Sequence, residues 1–180
     1  MAHRGPALTA QEVWQQLLEG NQRFVKGSPL SRNLPALREN LIRGQNPMAA
    51  VLCCSDSRVP AEFVFDQCLG DIFVVRTAGL VLEPTSLCSL EYAVAHLHVP
   101  LLVINGHEFC GAVTATVHHP DLDESHITSV VQQIAPAAAL AHLEATLGEP
   151  RRVKPEETQG CCKVDAALSS RGAVGDEAIS

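Results

Sequence analysis

The chain has 180 residues, 46% hydrophobic and 18% charged, with a formal net charge of -7 and a pI near 5.5. That length suits one domain with a sizeable core, and an acidic chain without a basic cluster excludes the usual electrostatic routes to nucleic acid or to an anionic membrane surface. No apolar run follows Met1, so no signal peptide is expected, and the longest aliphatic stretch, 99–104, is far too short to span a bilayer. A soluble cytoplasmic protein is the expectation.

Thr9 and Glu12 form a Thr-x-x-Glu capping box, followed by Val13, Leu17 and Phe24 on one helical face with Trp14, Leu18 and Val25 beside them. The spacing predicts an amphipathic helix over about 10–25 whose apolar stripe must pack on something. Residues 27–47 hold three prolines and much polarity, which predicts loop with room for one short helix. Three apolar runs follow, 48–54, 72–75 and 100–104. Each is strand-length and apolar on both faces, as in a parallel sheet covered on both sides. Between them Pro60 can open a helix at its first turn, and Ser86 is the expected cap of another, with Leu87, Leu90, Val94 and Leu97 on one face. Strands alternating with helices imply an α/β fold: a parallel-core β-sheet flanked by helices.

After Cys110 a helix is expected to about Val117, then a polar turn over 118–126. Ile127, Val130, Val131, Ile134, Ala138 and Ala141 recur at helical spacing, with Pro136 expected to kink or interrupt that helix. From Gly148 the pattern fails. Residues 149–180 are polar, rich in small residues and without a sustained period, which predicts a mobile tail with no strand of its own. The expected organisation is therefore one domain over 1–148 and an atypical C-terminal tail over 149–180.

There are seven cysteines: Cys53, Cys54, Cys68, Cys88, Cys110, Cys161 and Cys162. An odd number without a secretory signal argues against a disulfide framework and for buried thiols, metal ligands or nucleophiles. Two motifs carry chemistry. Cys54-Ser55-Asp56-Ser57-Arg58 ends the first strand, and His107-Glu108-Phe109-Cys110 ends the third. Ligands gather at the carboxyl ends of parallel strands, so neighbouring strand ends can unite the two motifs. Thiolate and imidazole suit zinc; Cys54, His107 and Cys110 supply three ligands and leave a fourth position for water, whose pKa zinc lowers from about 15.7 to about 7. Asp56 can accept a hydrogen bond from the hydroxide so formed, and Arg58 can pair with Asp56 and fix its orientation. Taken singly, each motif has an ordinary reading: a strand-end cysteine is usually core, and Asp-x-Arg is usually a turn with a surface ion pair. Together, each after an apolar strand, they point to a site. Cys53 should face away from Cys54 into the core, Cys68 and Cys88 read as packing residues, and Cys161 and Cys162 as exposed tail thiols without a histidine nearby. His118 and His119 read as a solvated loop pair.

The stretches CSDSRVPAE, FDQCLGDIFVVRTAG, SLEYAV and GHEFCGAV, with EGNQRFVKG near the N-terminus, resemble the bacterial branch of the β-class carbonic anhydrases. The resemblance covers roughly 8–147. It implies that Cys54, His107 and Cys110 hold one Zn2+ per chain and that Asp56 and Arg58 form a catalytic dyad. It also implies that Asp56 can swing onto zinc as a fourth ligand in a closed state. Gln45, in Gly-Gln-x-Pro, matches a glutamine that binds substrate, and Gly111 matches a residue whose amide faces it. It implies a homodimer or higher homo-oligomer in which the N-terminal helix embraces the partner, with no nucleic acid or membrane partner. Val51 stands where members with a non-catalytic bicarbonate site carry tryptophan, which implies that the site is absent here. The family continues with further helices and another strand, which the pattern over 149–180 does not supply.

The leading expectation is zinc-dependent reversible hydration of carbon dioxide to bicarbonate. The competing readings are a metal-binding, catalytically weak or silent homologue, for which the atypical tail speaks, and a hydrolase of carbonyl sulfide or carbon disulfide using the same metal chemistry.

Overall fold

The structure is a computed structural model and describes residues 8–119, 126–147 and 162–167. Helix α1 (Ala10–Val25) opens with the capping box expected of Thr9: its N–H donates to Glu12 Oε2 at 2.8 Å, and the Glu12 N–H donates back to Thr9 Oγ1 at 3.2 Å. Val13, Leu17 and Gly20 are buried against their own chain, whereas Phe24 and Val25 at the end of the stripe are exposed. At Gly20 a Cβ would lie 1.8 Å from the Phe65 carbonyl oxygen, so only glycine permits this approach of α1 to the chain below it. The loop that follows contains α2 (Leu34–Leu41), capped by the Asn33 side chain, which accepts the Ala36 N–H at 3.3 Å.

Strand β1 (Ala49–Cys54) is buried at all six positions because it is central and both faces are covered. It pairs in parallel with β2 (Ile72–Thr77) on one side and β3 (Leu102–His107) on the other. Val51, Cys53 and Val103 pack with α1 and the short α3 (Ala61–Val64) on one face. Ala50, Leu52 and Val75 pack with Leu90 and Ala93 of α4 (Pro84–Ala95) on the other. Helices α5 (Gly111–His118) and α6 (Ile127–Leu147) pack on each other after β3. The parallel-core α/β architecture is the one expected.

The differences are local. α4 starts at Pro84, its N-cap being Glu83, and Ser86 lies inside the first turn, where its Oγ accepts the Glu83 N–H at 2.8 Å. The buried stripe is accordingly Ser86, Leu90 and Ala93, while Leu87, Val94 and Cys88 are exposed. Cys88 is thus not a packing residue, and Pro84 at the first helical position was the better start signal. α6 runs through Pro136. Proline deprives the Gln132 carbonyl of its helical donor, but Gln132 and Pro136 are exposed, so water can take that place.

The largest correction lies after 149. A strand, β4 (Cys162–Ala167), pairs antiparallel with the edge of β3, giving the order β2-β1-β3-β4. Cys162, Val164 and Ala166 alternate with Lys163 and Asp165, but the run is short and carries a single β-branched residue, so pairing of its main chain to the open edge of β3 is what makes it a strand. The register sets Cys162 opposite His107, so this cysteine has a histidine beside it in the sheet after all. The remainder of 149–180, Cys161 included, lies outside the described residues, as does the expected turn over 120–125.

Candidate metal centre

Cys54 is the last residue of β1 and His107 the last of β3, and these strands are hydrogen-bonded neighbours, so the two motifs meet at one carboxyl edge. Two residues after His107, Phe109 takes φ +55°, an unusual conformation for a bulky residue, and turns the chain so that Cys110 becomes the N-cap of α5. The helix N-terminus then favours a thiolate at Cys110. The ligand atoms of Cys54, His107 and Cys110 all lie within 4.8 Å of one another. The two Sγ atoms are 3.9 Å apart. Thiolates bound tetrahedrally to one zinc at about 2.3 Å each would be about 3.8 Å apart.

The imidazole is equally telling. His107 Nδ1 sits 2.9 Å from the Glu108 carbonyl oxygen, which selects the tautomer with the proton on Nδ1. That leaves Nε2 an acceptor, yet it is buried without a hydrogen-bond partner among the described residues, in a side chain only 1% exposed. A buried acceptor without a donor is costly, and a cation between it and two thiolates removes the cost. Burial pushes the Cys110 thiol up, and the nearby Cys54 adds to this, while the amides of Val113 and Ala112 pull it down. Such a pair of close thiols is what a divalent cation would convert to thiolates. Cys53, by contrast, belongs to the core and is pushed up to about 11 chiefly by burial, so it remains a thiol. The residues fit zinc.

Asp56 and Arg58 form a bidentate pair, Nε to Oδ1 at 2.9 Å and Nη2 to Oδ2 at 2.7 Å, and the Arg58 N–H also donates to Oδ1 at 3.0 Å. The Arg58 side-chain and backbone bonds hold the Asp56 carboxyl well below the usual carboxylate range. Arg58 Nη2 further donates to the Phe109 carbonyl at 3.1 Å, which ties the two motifs together. Asp56 Oδ2 lies 3.9 Å from His107 Nε2, beside the three ligands without joining them. Gly111 begins α5 immediately after Cys110, and the space where a Cβ would stand has no atom within 4 Å, so a small molecule can approach its backbone.

Gln45 is not brought to this site. Leu41 packs beside Gly70, and the Met48 N–H donates to the Asp71 carbonyl at 2.8 Å, so the loop between them lies at the amino edge of the sheet. A six-residue strand spans about 17 Å from that edge to Cys54. Two residues escaped the sequence reading. Arg76 of β2 donates from Nε to the Cys54 carbonyl and from Nη2 to the Asp56 carbonyl, a role that no spacing announces. Asn105, two residues before His107, is fully buried, with neither carboxamide atom partnered among the described residues.

Three donors that could hold a zinc ion at the carboxyl edge of a parallel sheet, with an ionised carboxylate beside them, fit the class of α/β zinc enzymes. A sequence profile of the family described as carbonic anhydrase matches residues 49–171. Carbonic anhydrase 2 of Mycobacterium tuberculosis (strain H37Rv) is 40% identical over 172 residues, covering 93% of this chain and 81% of that protein. The carbonic anhydrase of Mycolicibacterium smegmatis is 48% identical over 135 residues, covering 71% and 64%. The solved structure of the β-carbonic anhydrase CcaA superposes with a TM-score of 0.55 at 29% identity, covering 77% of this chain and 69% of that one. The chain belongs to the carbonic anhydrase family, in its β class.

Proposed function

We propose that this enzyme, which hydrates carbon dioxide reversibly to bicarbonate with zinc, does so at the edge formed by Cys54, His107 and Cys110, with Asp56 and Arg58 as its dyad. The observation that carries the reading is the buried, unpartnered Nε2 of His107 within reach of two thiols. Zinc, when bound, makes hydroxide available near neutral pH. The chain's own residues supply the rest. Asp56, held ionised by Arg58, can only accept hydrogen bonds. It therefore accepts a hydrogen bond from the attacking hydroxyl, which orients an oxygen lone pair toward the carbon of carbon dioxide. The Gly111 amide, at the N-terminus of α5, is offered to a substrate oxygen, where the helix end favours the negative charge that develops as bicarbonate forms. The engagement of Asp56 by both nitrogens of Arg58 supports an open site; released from Arg58, Asp56 would be free to serve as the fourth ligand of a closed one.

Gln45 serves the reaction from a second copy of the chain, because its own site is a strand length away. A homodimer or larger homo-oligomer is accordingly part of the proposal, and the exposed Ile42, Phe63 and Phe109 provide apolar surface for it. Segment 1–148 carries the whole site, and 149–180 contributes the sheet edge through β4. The free thiols of Cys53, Cys54, Cys68, Cys88 and Cys110, two of them ligands, support a reducing, cytoplasmic setting in which the bicarbonate serves carbon utilisation. Among the described residues no helix is long and apolar enough to cross a membrane.

Neither competing reading is favoured. The complete set of Cys54, Asp56, Arg58, His107 and Cys110 argues against a silent homologue, and no feature of the site selects sulfur analogues. Stopped-flow hydration of carbon dioxide by zinc-loaded and chelator-stripped protein tests the reading. Activity that follows zinc supports it; a zinc-loaded protein without activity sinks it.

A further inference from the structure

The chain leaving β2 does more than lead to α4. Arg76 extends its guanidinium across to the exit of β1, where Nε donates to the Cys54 carbonyl at 3.0 Å and Nη2 to the Asp56 carbonyl at 2.7 Å. The Thr77 carbonyl accepts the Ser55 N–H at 3.1 Å. The Gly79 N–H then donates to Cys54 Sγ at 3.4 Å. One short stretch therefore grips three consecutive residues that include a metal ligand and the dyad carboxylate. The stretch is itself anchored at both ends. Arg76 pairs in register with Cys53. Gly79 adopts φ +65°, and a Cβ there would fall 2.5 Å from Ile134 Cδ1 and 2.9 Å from Ala112 Cβ, so α5 and α6 close over it.

We propose that Arg76 is a positioning residue for the reaction: its forked guanidinium sets where the Cys54 thiolate and the Asp56 carboxylate stand relative to each other. Carbonyls two residues apart converge on one guanidinium only if the chain turns between them, so the two bonds fix the curvature at which β1 ends. The loop thereby lies between two arginines. Arg76 holds its backbone, and Arg58 holds its carboxylate. The division matters because Arg58, which holds the carboxylate, is itself largely exposed. An anchored backbone is what gives the Asp56–Arg58 pair a defined place beside His107. Lysine offers a point charge and cannot donate along two fixed directions at once. Glutamine keeps some reach without the charge. The role in turnover rests on the reading of Asp56 and Arg58 as the dyad, whereas the effect on Cys54 does not.

The test uses Arg76→Gln and Arg76→Lys in the full chain, with carbon dioxide hydration followed for the zinc forms and absorption spectra for cobalt(II) substituted at the same site. Each variant is expected to bind about one metal, in keeping with an unchanged ligand set. For Arg76→Gln kcat should fall roughly 10- to 100-fold with KM little changed, as when a partner of a ligand is lost, and Arg76→Lys should recover part of it. The thiolate-to-cobalt charge-transfer bands should shift in Arg76→Gln, which a merely structural residue would not cause. Parental kcat and a parental cobalt spectrum in folded Arg76→Gln overturn the proposal, even if the melting temperature drops. If Arg76→Gln does not fold, Arg76→Lys is judged by the same two readings: a parental pair of values overturns the proposal, and a lowered kcat with shifted bands supports it. Parental activity in Arg58→Ala would fail the dyad reading on its own and is told apart by the cobalt bands of Arg76→Gln, which do not depend on Arg58.

Discussion

Two aspartates in this protein are held by arginines, and they do opposite work. Asp56 meets Arg58 from two residues away, in a loop, with the arginine largely exposed. Asp66 meets Arg23 from the end of α1 and Arg32 from the following loop, 43 and 34 residues distant, and its side chain is 4% exposed. It also accepts the Leu30 N–H at 3.2 Å, while Arg32 reaches back to the Asp66 carbonyl. The first pair is local and sits beside an open metal site; the second is long-range and clamps α1 and the loop after it to the end of α3. An exposed pair contributes little to folding and is free to serve chemistry, whereas a buried one is costly to break and serves the fold. Under the proposed function, ion pairing of the same kind serves chemistry at one place and structure at the other, decided by burial and by what lies next to it.

The largest expected effect isolates the site from the clamp. Cys110→Ser should lose most of its zinc and with it nearly all activity, measured by metal analysis of the purified protein. Zinc retained in full by this variant would show that the ligand set is wrong. Arg58→Ala comes next. It should retain zinc and melt within a few degrees of the parent, yet lose about 100-fold or more in kcat/KM, in the range seen when a positioned acid–base group is removed. Asp56→Asn should likewise keep zinc and lose turnover.

Asp66→Asn should do the reverse. The loss of one member of a buried pair costs several kcal/mol, and since both arginines are partly exposed a cost of about 2 kcal/mol is expected. Activity per folded molecule should stay at the parental value. If denaturant unfolding shows no loss of stability while turnover falls, the two aspartates have been assigned the wrong way round.

Acid sharpens the same contrast. Burial pushes the Asp66 carboxyl up, but Arg23, Arg32 and the Leu30 amide pull it down further, so its folded-state value lies below the ordinary one. A depressed value contributes stability that is present above the unfolded pKa, about 3.9, and is lost as pH falls through the folded value. The parent should therefore lose stability below about pH 4, and Asp66→Asn should flatten that arm of the curve in urea titrations. The smallest effect concerns Asn105. Its buried carboxamide, unpartnered among the described residues, costs free energy, so Asn105→Leu should raise stability by about 1 kcal/mol with zinc content unchanged. Destabilisation instead would mean that this carboxamide has a partner in the working enzyme.

Much of the site was legible before any fold was known, because its chemistry is local in sequence. Cys54, Asp56 and Arg58 fall within five residues, and His107 and Cys110 within four, each group directly after an apolar run. The parallel core was legible for a related reason: strands covered on both faces lose their alternation. α4 was misplaced by three residues because Ser86 looks like a cap, whereas the fixed backbone angle of Pro84 had already started the helix.

What the amino-acid sequence determined by itself is therefore the Cys54, His107 and Cys110 group, the Asp56–Arg58 pair, the three parallel strands and the cap of α1, all of which depend on neighbours along the chain. Only the tertiary structure decided the rest. It placed Gln45 at the far edge from the metal site, added β4 to β3 through main-chain pairing, and set Arg76 against the carbonyls of Cys54 and Asp56. Backbone carbonyls and sheet edges are the same for every residue type, so contacts made to them leave no trace in residue identity and exist only once the strands lie side by side.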